Sequence, residues 1–392
     1  MINSHLAALD PSHRDLCLIF DRFTYNKIVN LEDAMSTSIA AQLAYEIAPA
    51  PSFPTFPLNQ WYVAALSSEL KDKPVGRTLL GKPVVIFRAA NGQVAALEDR
   101  CCHRALPLSN GTLEEGRLRC GYHGLLFNGE GKCVEIPGQD KIPSKAKVPV
   151  YQVRERDHLV WIWFGNPDNL VPNCEPPEYD VHSSGKYVFD GSVYHYDAPY
   201  QLIHDNLMDL SHLGYVHLKT IGGNARIHMN AEMKVESDDS TVRVVRYMLD
   251  SVPPPTYTAA YPFKGNVDRW QEIEFHVSHL RIWTGAVDAN TSAMDDPNRG
   301  GFHMRGFHGV TPETETTSHY FWTMATNPIS DPEATKAKVI EQTILTFDED
   351  KQVIEAQYAN MCRFGERPLI DIHVDVGANR ARKIIERLRT GD

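Results

Sequence analysis

Long apolar runs and positive charge are both scarce in this sequence. No stretch approaches the roughly 20 consecutive apolar residues that a membrane-spanning helix needs, and the first residues lack the basic-then-apolar order of a secretory signal. We therefore expect a cytoplasmic protein that does not enter a membrane. Only 39 Lys and Arg stand against 50 Asp and Glu, which gives a formal net charge of −11. Since a phosphate backbone attracts basic surfaces, this balance argues against nucleic acid as a partner.

Dense cysteine spacing and a dinucleotide-binding motif are also missing. The seven cysteines are scattered along the chain, unlike the closely spaced framework of a disulfide-rich domain. No Gly-x-Gly-x-x-Gly follows a strand-like run, so the sequence predicts no site for NAD(P)H. Any reaction that consumes NAD(P)H would therefore need a separate protein to deliver its electrons.

The length and the apolar content of the chain predict two domains behind an N-terminal extension. A chain of 392 residues, of which 42% are hydrophobic, is longer than a single hydrophobic core usually supports. Before residue 55, Ala, Ser and Pro accumulate and the hydrophobic residues follow no strong helical or strand-like period. We therefore expect residues 1–54 to be a partly disordered extension. A Pro-rich and Asn-rich stretch begins at residue 166 and predicts the boundary between a first domain, 55–166, and a second, 167–392.

The two domains differ in their predicted structure. In the first, short β-rich runs alternate with turn signals such as Asn91-Gly92, which indicates a small antiparallel β domain. In the second, a helical segment at 202–215 precedes strand-like runs and a long helix that opens at Asp331-Pro332, where Asp can cap the helix and Pro fits its first turn. This order predicts an α+β fold.

Two cysteines and two histidines lie in a pair of short motifs in the first domain. Cys101-x-His103 is separated by sixteen residues from Cys120-x-x-His123. Two thiolates and two imidazoles suit either zinc or a [2Fe–2S] cluster in which two histidines replace two cysteines on one iron. In a zinc finger, each short motif supplies two ligands of the same residue type. Here each motif supplies one cysteine and one histidine, so it can give its cysteine to one iron and its histidine to the other. The spacing therefore favours the iron–sulfur cluster.

This pair of motifs resembles the Rieske signature, including the arginine after the first histidine and Tyr122 within the second motif. One departure is Cys102, at a position where the family commonly has proline. The departure leaves a spare thiol beside the expected cluster without changing its ligands.

A second set of possible ligands lies in the helical segment of the second domain. Asn206, Asp209 and His212 follow one another at intervals of three residues, so they lie roughly on one side of a helix. His217 follows His212 by five residues, about 140° around a regular helix, so one metal could bind both only if the helix is distorted or ends near Gly214. Two imidazoles and one carboxylate form the ligand set of non-haem ferrous oxygenases. The carboxylate must come from elsewhere in the chain.

The acidic residues 348–350 of the long helix can supply that carboxylate. Only Asp350 falls on the apolar face of the helix, and a buried acid there is costly without a cation. We therefore predict Asp350 as the third ligand and expect Asp348 and Glu349 to be solvated. Alone, His212 and His217 would be read as core histidines, but a Rieske signature upstream favours the metal site.

The whole pattern resembles the Rieske oxygenases, in the group of vanillate O-demethylase and dicamba monooxygenase. The segments that carry this resemblance are 59–64, 120–125, 137–139, 205–210, 215–217, 267–271 and 311–313. The resemblance implies a Rieske β domain followed by a helix-grip (START-like) catalytic domain, with a mononuclear Fe(II). It also implies a homotrimer that receives NAD(P)H electrons through a flavin and iron–sulfur reductase.

The resemblance further implies a role for Asp209. In this family the two metal centres of one chain lie too far apart for fast electron transfer, so the cluster of one subunit serves the iron of its neighbour. His123 would then hydrogen-bond across the subunit interface to Asp209, which would also hold His212.

Substrate contacts are predicted from one strand-like run and from the resemblance. In the run 275–284, alternation places Arg281 and Trp283 on one face together with His279. If that face lines the cavity, Arg281 could bind a carboxylate while Trp283 packs on a ring. A surface arginine with half-buried neighbours is an equal alternative. His308 matches a substrate-contacting histidine of the dicamba enzyme and is expected in the pocket.

These patterns predict the terminal oxygenase component of an aromatic monooxygenase that uses dioxygen. The expected reaction hydroxylates a methoxy carbon of a vanillate-like aromatic acid, after which the hemiacetal collapses to a phenol and formaldehyde. One alternative is hydroxylation of a methyl, N-methyl or ring carbon of another aromatic compound. An alternative of a different class is a Rieske electron-transfer protein with an inactive second domain.

Overall fold

The structure is a computed structural model that describes residues 56–166, 174–329, 331–365 and 367–390. The predicted extension at 1–54 lies outside these residues. The predicted domain boundary after residue 166 adjoins a stretch, 167–173, that also lies outside them.

The first half of the described chain consists of short antiparallel strands. They form three sheets, ordered β1-β11-β10, β2-β3-β4-β9 and β5-β6-β7-β8. The strand bounds are β1 Gln60–Leu66, β2 Val75–Leu79, β3 Lys82–Arg88, β4 Val94–Glu98, β5 Thr112–Glu114, β6 Arg117–Arg119, β7 Leu126–Phe127, β8 Cys133–Glu135, β9 Val150–Tyr151, β10 Val153–Arg156 and β11 Leu159–Phe164. The paired strands β1 and β11 are rich in aromatic and β-branched residues and are buried almost from end to end. This half confirms the predicted antiparallel β domain.

The second half is built on a seven-stranded antiparallel sheet, ordered β12-β18-β17-β16-β15-β14-β13. Its strands are β12 Val188–Tyr196, β13 Glu232–Ser237, β14 Val242–Ser251, β15 Val267–His276, β16 His279–Asp288, β17 Phe302–Pro312 and β18 Ser318–Thr326. The described helices are α1 Tyr200–Met208, α2 Leu213–Val216, α3 Ala225–Met229, α4 Pro255–Ala260, α5 Pro332–Phe364 and α6 Val376–Thr390. Sheet and helices together confirm the α+β fold.

The long helix α5 packs across the sheet. As predicted, Asp331 caps it, because its carboxylate accepts a hydrogen bond of 3.1 Å from the Ala334 N–H. Near its middle, the Phe347 ring meets the Trp322 ring of β18 edge to face, with centroids 5.2 Å apart. A cavity can therefore form where α5, α1 and the sheet diverge.

The small sheets pack directly against the large one. The Thr311 hydroxyl of β17 donates to the Val63 carbonyl of β1 at 2.7 Å. The His182 imidazole contacts the Asp157 carbonyl on one side and the Thr323 hydroxyl on the other, both at 2.7 Å. These contacts hold the two domains in one arrangement. No helix among the described residues is long and apolar enough to cross a bilayer.

Candidate metal centres and substrate cavity

The two Cys/His motifs lie side by side at the end of the β5–β8 sheet. Cys101 and Cys120 are each 2% exposed, while His103 and His123 are exposed with ring centroids 4.5 Å apart. Burial, and then the adjacent Cys120 thiol, raises the pKa of Cys101 to about 11. A thiolate is costly there without a cation, and two buried sulfurs beneath two imidazoles are the donors that a Rieske cluster requires.

The backbone repeats one turn in both motifs. The Cys101 N–H donates to the Leu106 carbonyl at 2.9 Å, and the Cys120 N–H donates to the Leu125 carbonyl at 2.8 Å. Four residues after each cysteine the chain turns with a positive φ, 59° at Ala105 and 73° at Gly124. The two loops are therefore near-copies that present their ligands to a common point.

At Gly124 a side chain would be strained twice. Its φ lies in the left-handed region, and an added Cβ would lie 2.9 Å from the Pro137 side chain.

Two further side chains of the motifs lie near the cluster histidines and cysteines. Tyr122 packs on His123 with ring centroids 4.0 Å apart. Cys102, in contrast with the two buried cysteines, is exposed.

The second centre brings together His212, His217 and Asp350. One potential ligand atom of each lies within 4.8 Å of the others, and no other such trio of His, Cys, Asp or Glu occurs in the described ranges. The Asp350 carboxylate lies 3.4 Å from His212 Nε2 and 3.1 Å from His217 Nε2. Asp350 and His217 are buried, and His212 is half-buried. Two imidazole nitrogens facing one carboxylate fit a ferrous ion with open coordination positions.

The helical segment that carries the two histidines is interrupted before His212 and ends at His217. The helix α1 ends at Met208, Asp209 has an extended backbone (φ −121°, ψ 96°), and a 3₁₀ turn follows. The short helix α2 then ends at Val216, immediately before His217. This agrees with the expectation of a distorted or ended helix near Gly214, and Gly214 itself lies within α2. Its role is close packing, since an added Cβ would lie 2.3 Å from the Ala225 Cα.

Asp209 holds His212 through its backbone. The His212 Nδ1 lies 2.6 Å from the Asp209 carbonyl oxygen. Because a carbonyl can only accept, Nδ1–H donates and Nε2 keeps its lone pair for the metal. The Asp209 carboxylate instead accepts from the Ser211 N–H at 2.8 Å and from the Ser211 hydroxyl at 2.9 Å.

Glu349 corrects a second expectation, that this residue is merely solvated. It is half-buried, and its carboxylate accepts from His217 Nδ1 at 2.8 Å, which leaves His217 Nε2 for the metal. Although burial lowers the pKa of His217, the Asp350 and Glu349 carboxylates raise it overall. Asp348 is exposed as predicted, although it accepts from the Tyr194 hydroxyl at 2.9 Å.

A cavity of about 610 Å³, measured out to its open mouth, begins at this trio. Its apolar wall consists of Leu207, Leu210, Ile282, Met304, Met324 and Phe347, among others. Asn206 also lies on the wall, and its amide donates to the Asp350 carboxylate at 3.0 Å. His308 lines the cavity as well. Mostly apolar cavities with a few polar groups are typical of small-molecule sites.

Arg281 and Trp283 do not line this cavity, so the condition on which they were expected to contact substrate is not met, and the alternative of an arginine outside the cavity is favoured. The run 275–284 spans the end of β15, a hairpin turn and the start of β16. Alternation along β16 directs Ile282 to the cavity and its neighbours to the opposite face. There Arg281 donates to the Glu178 carbonyl at 2.6 Å. The Arg305 guanidinium lies 3.7 Å from the centroid of a Trp283 ring.

Comparison with known protein families covers both halves of the chain. Residues 60–152 match the Rieske [2Fe-2S] domain, and residues 196–391 match the vanillate O-demethylase oxygenase C-terminal domain.

Individual relatives are similar over almost their whole length. The iron–sulfur subunit of the toluene-4-sulfonate monooxygenase system of Comamonas testosteroni is 37% identical over 84% of this chain and 96% of its own. The vanillate O-demethylase oxygenase subunit of Pseudomonas sp. strain HR199 is 36% identical over 85% of this chain and 95% of its own.

A solved structure extends the similarity to the fold. Dicamba monooxygenase bound to dicamba is 36% identical, with a TM-score of 0.76 over 86% of this chain and 98% of that chain. Another structure of that enzyme, with non-haem iron and dicamba, has a TM-score of 0.68 at 34% identity.

Proposed function

Since the chain belongs to the Rieske non-haem iron oxygenases, in the group of the vanillate O-demethylase oxygenase subunits, we propose that it demethylates a methoxylated aromatic compound. As the oxygenase component, it carries a Rieske [2Fe–2S] cluster and a mononuclear iron. The observation that carries the proposal is the trio of His212, His217 and Asp350 on the wall of an apolar cavity.

We assign the ligands residue by residue. Cys101, Cys120, His103 and His123 hold the cluster, and His212, His217 and Asp350 hold the ferrous ion. When bound, the ferrous ion supplies dioxygen activation and the cluster supplies electrons one at a time.

The chain's own groups orient these ligands. The Asp209 carbonyl and the Glu349 carboxylate fix the tautomers of the two histidines. Asn206 holds the Asp350 carboxylate in place. The apolar wall keeps water away from the reacting carbon.

The reaction balances with two electrons. One oxygen atom of dioxygen enters the methoxy C–H bond, and the other leaves as water after uptake of two electrons and two protons. The resulting hemiacetal breaks its C–O bond and yields a phenol and formaldehyde. The electrons come from a separate reductase component, and we propose a flavin and iron–sulfur protein that oxidises NAD(P)H in the cytoplasm.

We further propose that the enzyme is a homotrimer in which the cluster of one subunit serves the iron of the next. Exposed residues at both centres support this arrangement. His103 and His123 are exposed at the cluster, and Tyr215 and Leu218, next to His217, are 64% and 60% exposed. In the trimer, His123 of one subunit would reach Asp209 of the next.

An Asp209→Asn variant tests this coupling. Asparagine can still accept from the Ser211 N–H and keeps the backbone carbonyl on His212, so both metals should remain bound. Without the anionic bridge, we expect electron transfer to the iron to slow and turnover to fall, while metal analysis and the cluster spectrum stay unchanged. Unchanged single-turnover rates would contradict the coupling role. A Ser211→Ala variant, which keeps the carboxylate, is the matched control.

Hydroxylation of a methyl carbon is the second candidate reaction. It is favoured by the similarity to a toluene-4-sulfonate monooxygenase subunit, whose named substrate has a methyl group and no methoxy group. A Rieske carrier with an inactive second domain is disfavoured by the complete ligand trio.

The deciding experiment uses protein purified without oxygen and a generic reductase with NADH. Metal analysis should find about three irons per chain. Methoxylated aromatics should then be screened for dioxygen uptake and formaldehyde release. Turnover of methyl-substituted aromatics with no formaldehyde from any methoxy compound would reject O-demethylation.

A further inference from the structure

We propose that the chain has a second small-molecule site, a groove on the face of the large sheet opposite to the catalytic cavity, which binds a small oxyanion through the Arg305 guanidinium. The inference does not depend on the proposed reaction, because none of the assigned metal ligands lines this groove.

The groove crosses the outer face of the sheet from β13 to β17. Two depressions of about 730 Å³ and 700 Å³, each measured out to its open mouth, share Arg243, Glu272 and Trp283 and therefore form one continuous groove. Arg299 lines one part of it and Arg305 lines the other. The groove thus brings together arginines from a loop and from two strands that are far apart in sequence.

The sheet separates this groove from the iron site. Trp283 precedes Thr284 on β16, and Arg305 follows Met304 on β17, so alternation directs the two members of each pair to opposite faces. Thr284 and Met304 line the catalytic cavity, whereas Trp283 and Arg305 line the groove. A molecule in the groove is therefore not placed for oxidation at the iron.

Arg305 is the one cation of the groove that has no counter-ion within the part of the chain that the structure describes. It makes neither an ion pair nor a hydrogen bond there. The four other cations that line the groove each have a carboxylate within 3.8 Å: Arg243 and Arg299 at Glu272, Arg281 at Glu274, and Lys234 at Glu232.

The carboxylates of the groove do not supply the missing partner of Arg305. Glu272 already shares its single negative charge between two arginines. Glu274 contacts His276 at 2.7 Å as well as Arg281 at 3.5 Å, and Glu178 contacts Arg156 at 3.3 Å. The remaining acids on the groove are exposed, where water and salt screen their charge: Asp180, Glu236 and Asp295.

Stacking holds the Arg305 guanidinium in a fixed plane. Its Cζ lies 3.7 Å from the centroid of a Trp283 ring, and the Arg299 Cζ lies 4.2 Å from a ring of the same side chain. A stacked guanidinium uses its flat face for the ring and keeps the N–H groups at its edge for acceptors. Two guanidiniums on one indole also repel each other, so a second anion beside Glu272 would be stabilising.

Several N–H donors around this stack lack an acceptor. Arg305 Nε and Trp283 Nε1 are buried without a hydrogen-bond partner in the described ranges. The same holds for Nε and Nη1 of Arg299, a residue that is only 4% exposed. Such buried donors are rare in native proteins. A cluster of cationic donors without acceptors fits a ligand that offers only acceptors.

A small oxyanion meets both requirements. A carboxylate, sulfonate or phosphate group can accept two parallel N–H bonds from the edge of one guanidinium. Tyr179, Val181 and Ile273 give the same part of the groove an apolar side, which can pack against the ring of an organic acid. An aryl carboxylate should therefore bind more tightly than an inorganic anion.

The test is calorimetric titration of the metal-loaded protein, without oxygen, with benzoate, its neutral isostere benzamide, and inorganic phosphate. Arg305→Met keeps much of the side-chain length but removes the guanidinium, so it should weaken benzoate binding by at least about tenfold. Benzamide should bind the parent and the variant alike. Binding of phosphate that depends on Arg305 would support the site and, if tighter than that of benzoate, would assign it to inorganic anions. Unchanged affinities of both anions in Arg305→Met would overturn the inference.

The controls separate the lost donor from a general change in charge or fold. Arg367→Met removes an exposed arginine that is also stacked on a ring, that of Phe364 at 5.2 Å, but lies outside the groove. It should bind benzoate as the parent does. Arg305→Lys keeps the charge and loses the two-pronged donor, so its affinity should be intermediate. The visible spectrum of the cluster and the iron content report that each variant is folded.

A crystal of the parent gives a readout that does not depend on any variant. After a soak with 4-bromobenzoate, the anomalous signal of bromine should lie in the groove, with the carboxylate within hydrogen-bond distance of Arg305. Bromine in the catalytic cavity alone would overturn the inference.

Discussion

The two candidate metal centres of this chain are built in opposite ways. The cluster ligands all lie within the 23 residues from Cys101 to His123, on two loops with exposed histidines. In the second centre, His217 and Asp350 are 133 residues apart in sequence and meet only because α5 packs against the end of α2. A loop-borne centre can therefore be damaged locally, whereas the second centre depends on the packing of the whole domain.

The largest expected effect comes from removing the long-range ligand. Asp350→Ala should abolish mononuclear iron binding, because two neutral imidazoles alone hold Fe(II) weakly, and turnover should fall by more than the roughly 100-fold cost of losing an orienting partner. Asp348→Ala, two residues away and exposed, is the control and should retain iron. Dioxygen uptake and metal content give the readout. A fully active Asp350→Ala protein would show that the trio is not the metal site.

The converse variant acts on the other centre. Cys101→Ser should remove the cluster and its visible spectrum, because a buried hydroxyl cannot replace the thiolate. The second centre should keep its iron, since none of its ligands lies in the cluster loops. Cys102→Ser changes an exposed thiol one residue away and should keep the spectrum. Loss of both metals in Cys101→Ser would mean that the centres do not fold independently.

A smaller effect is expected at the partner of His217. Glu349→Gln keeps the shape of the side chain but removes the charge that holds His217 Nδ1–H, so iron affinity should fall by about 10- to 100-fold. The matched control is Glu341→Gln, an exposed position on the same helix. Competition with an iron chelator measures the change. Identical chelation curves for the parent and Glu349→Gln would contradict the role given to this carboxylate.

The same contrast explains what the sequence could predict. The spacing of Cys101, His103, Cys120 and His123 is local, so it could be read from the chain directly. Asp350 was also accessible, because an acid on an apolar helix face is a strong signal. Glu349 was not, since helical position alone does not reveal that His217 ends a neighbouring helix within reach. Nor could alternation say which face of β16 lines the cavity, which is why the cavity and the surface stayed equal alternatives for Arg281.

The smallest effect is expected at the seam between the two regions, where His182 bridges the Asp157 carbonyl and the Thr323 hydroxyl. Burial lowers the pKa of His182 to about 4, against an ordinary value of about 6.5. Between these values the unfolded chain binds a proton that the folded protein excludes. The contribution of this residue to the free energy of unfolding is therefore fully present above pH 6.5 and is lost as the pH falls towards 4, by up to about 3 kcal/mol.

His182→Gln should be less stable at neutral pH by about 1 kcal/mol, because one or both hydrogen bonds weaken. Its urea midpoint should nevertheless decline less between pH 7 and pH 5 than that of the parent. Parallel declines in the two proteins would show that the acid sensitivity of the fold originates away from this seam.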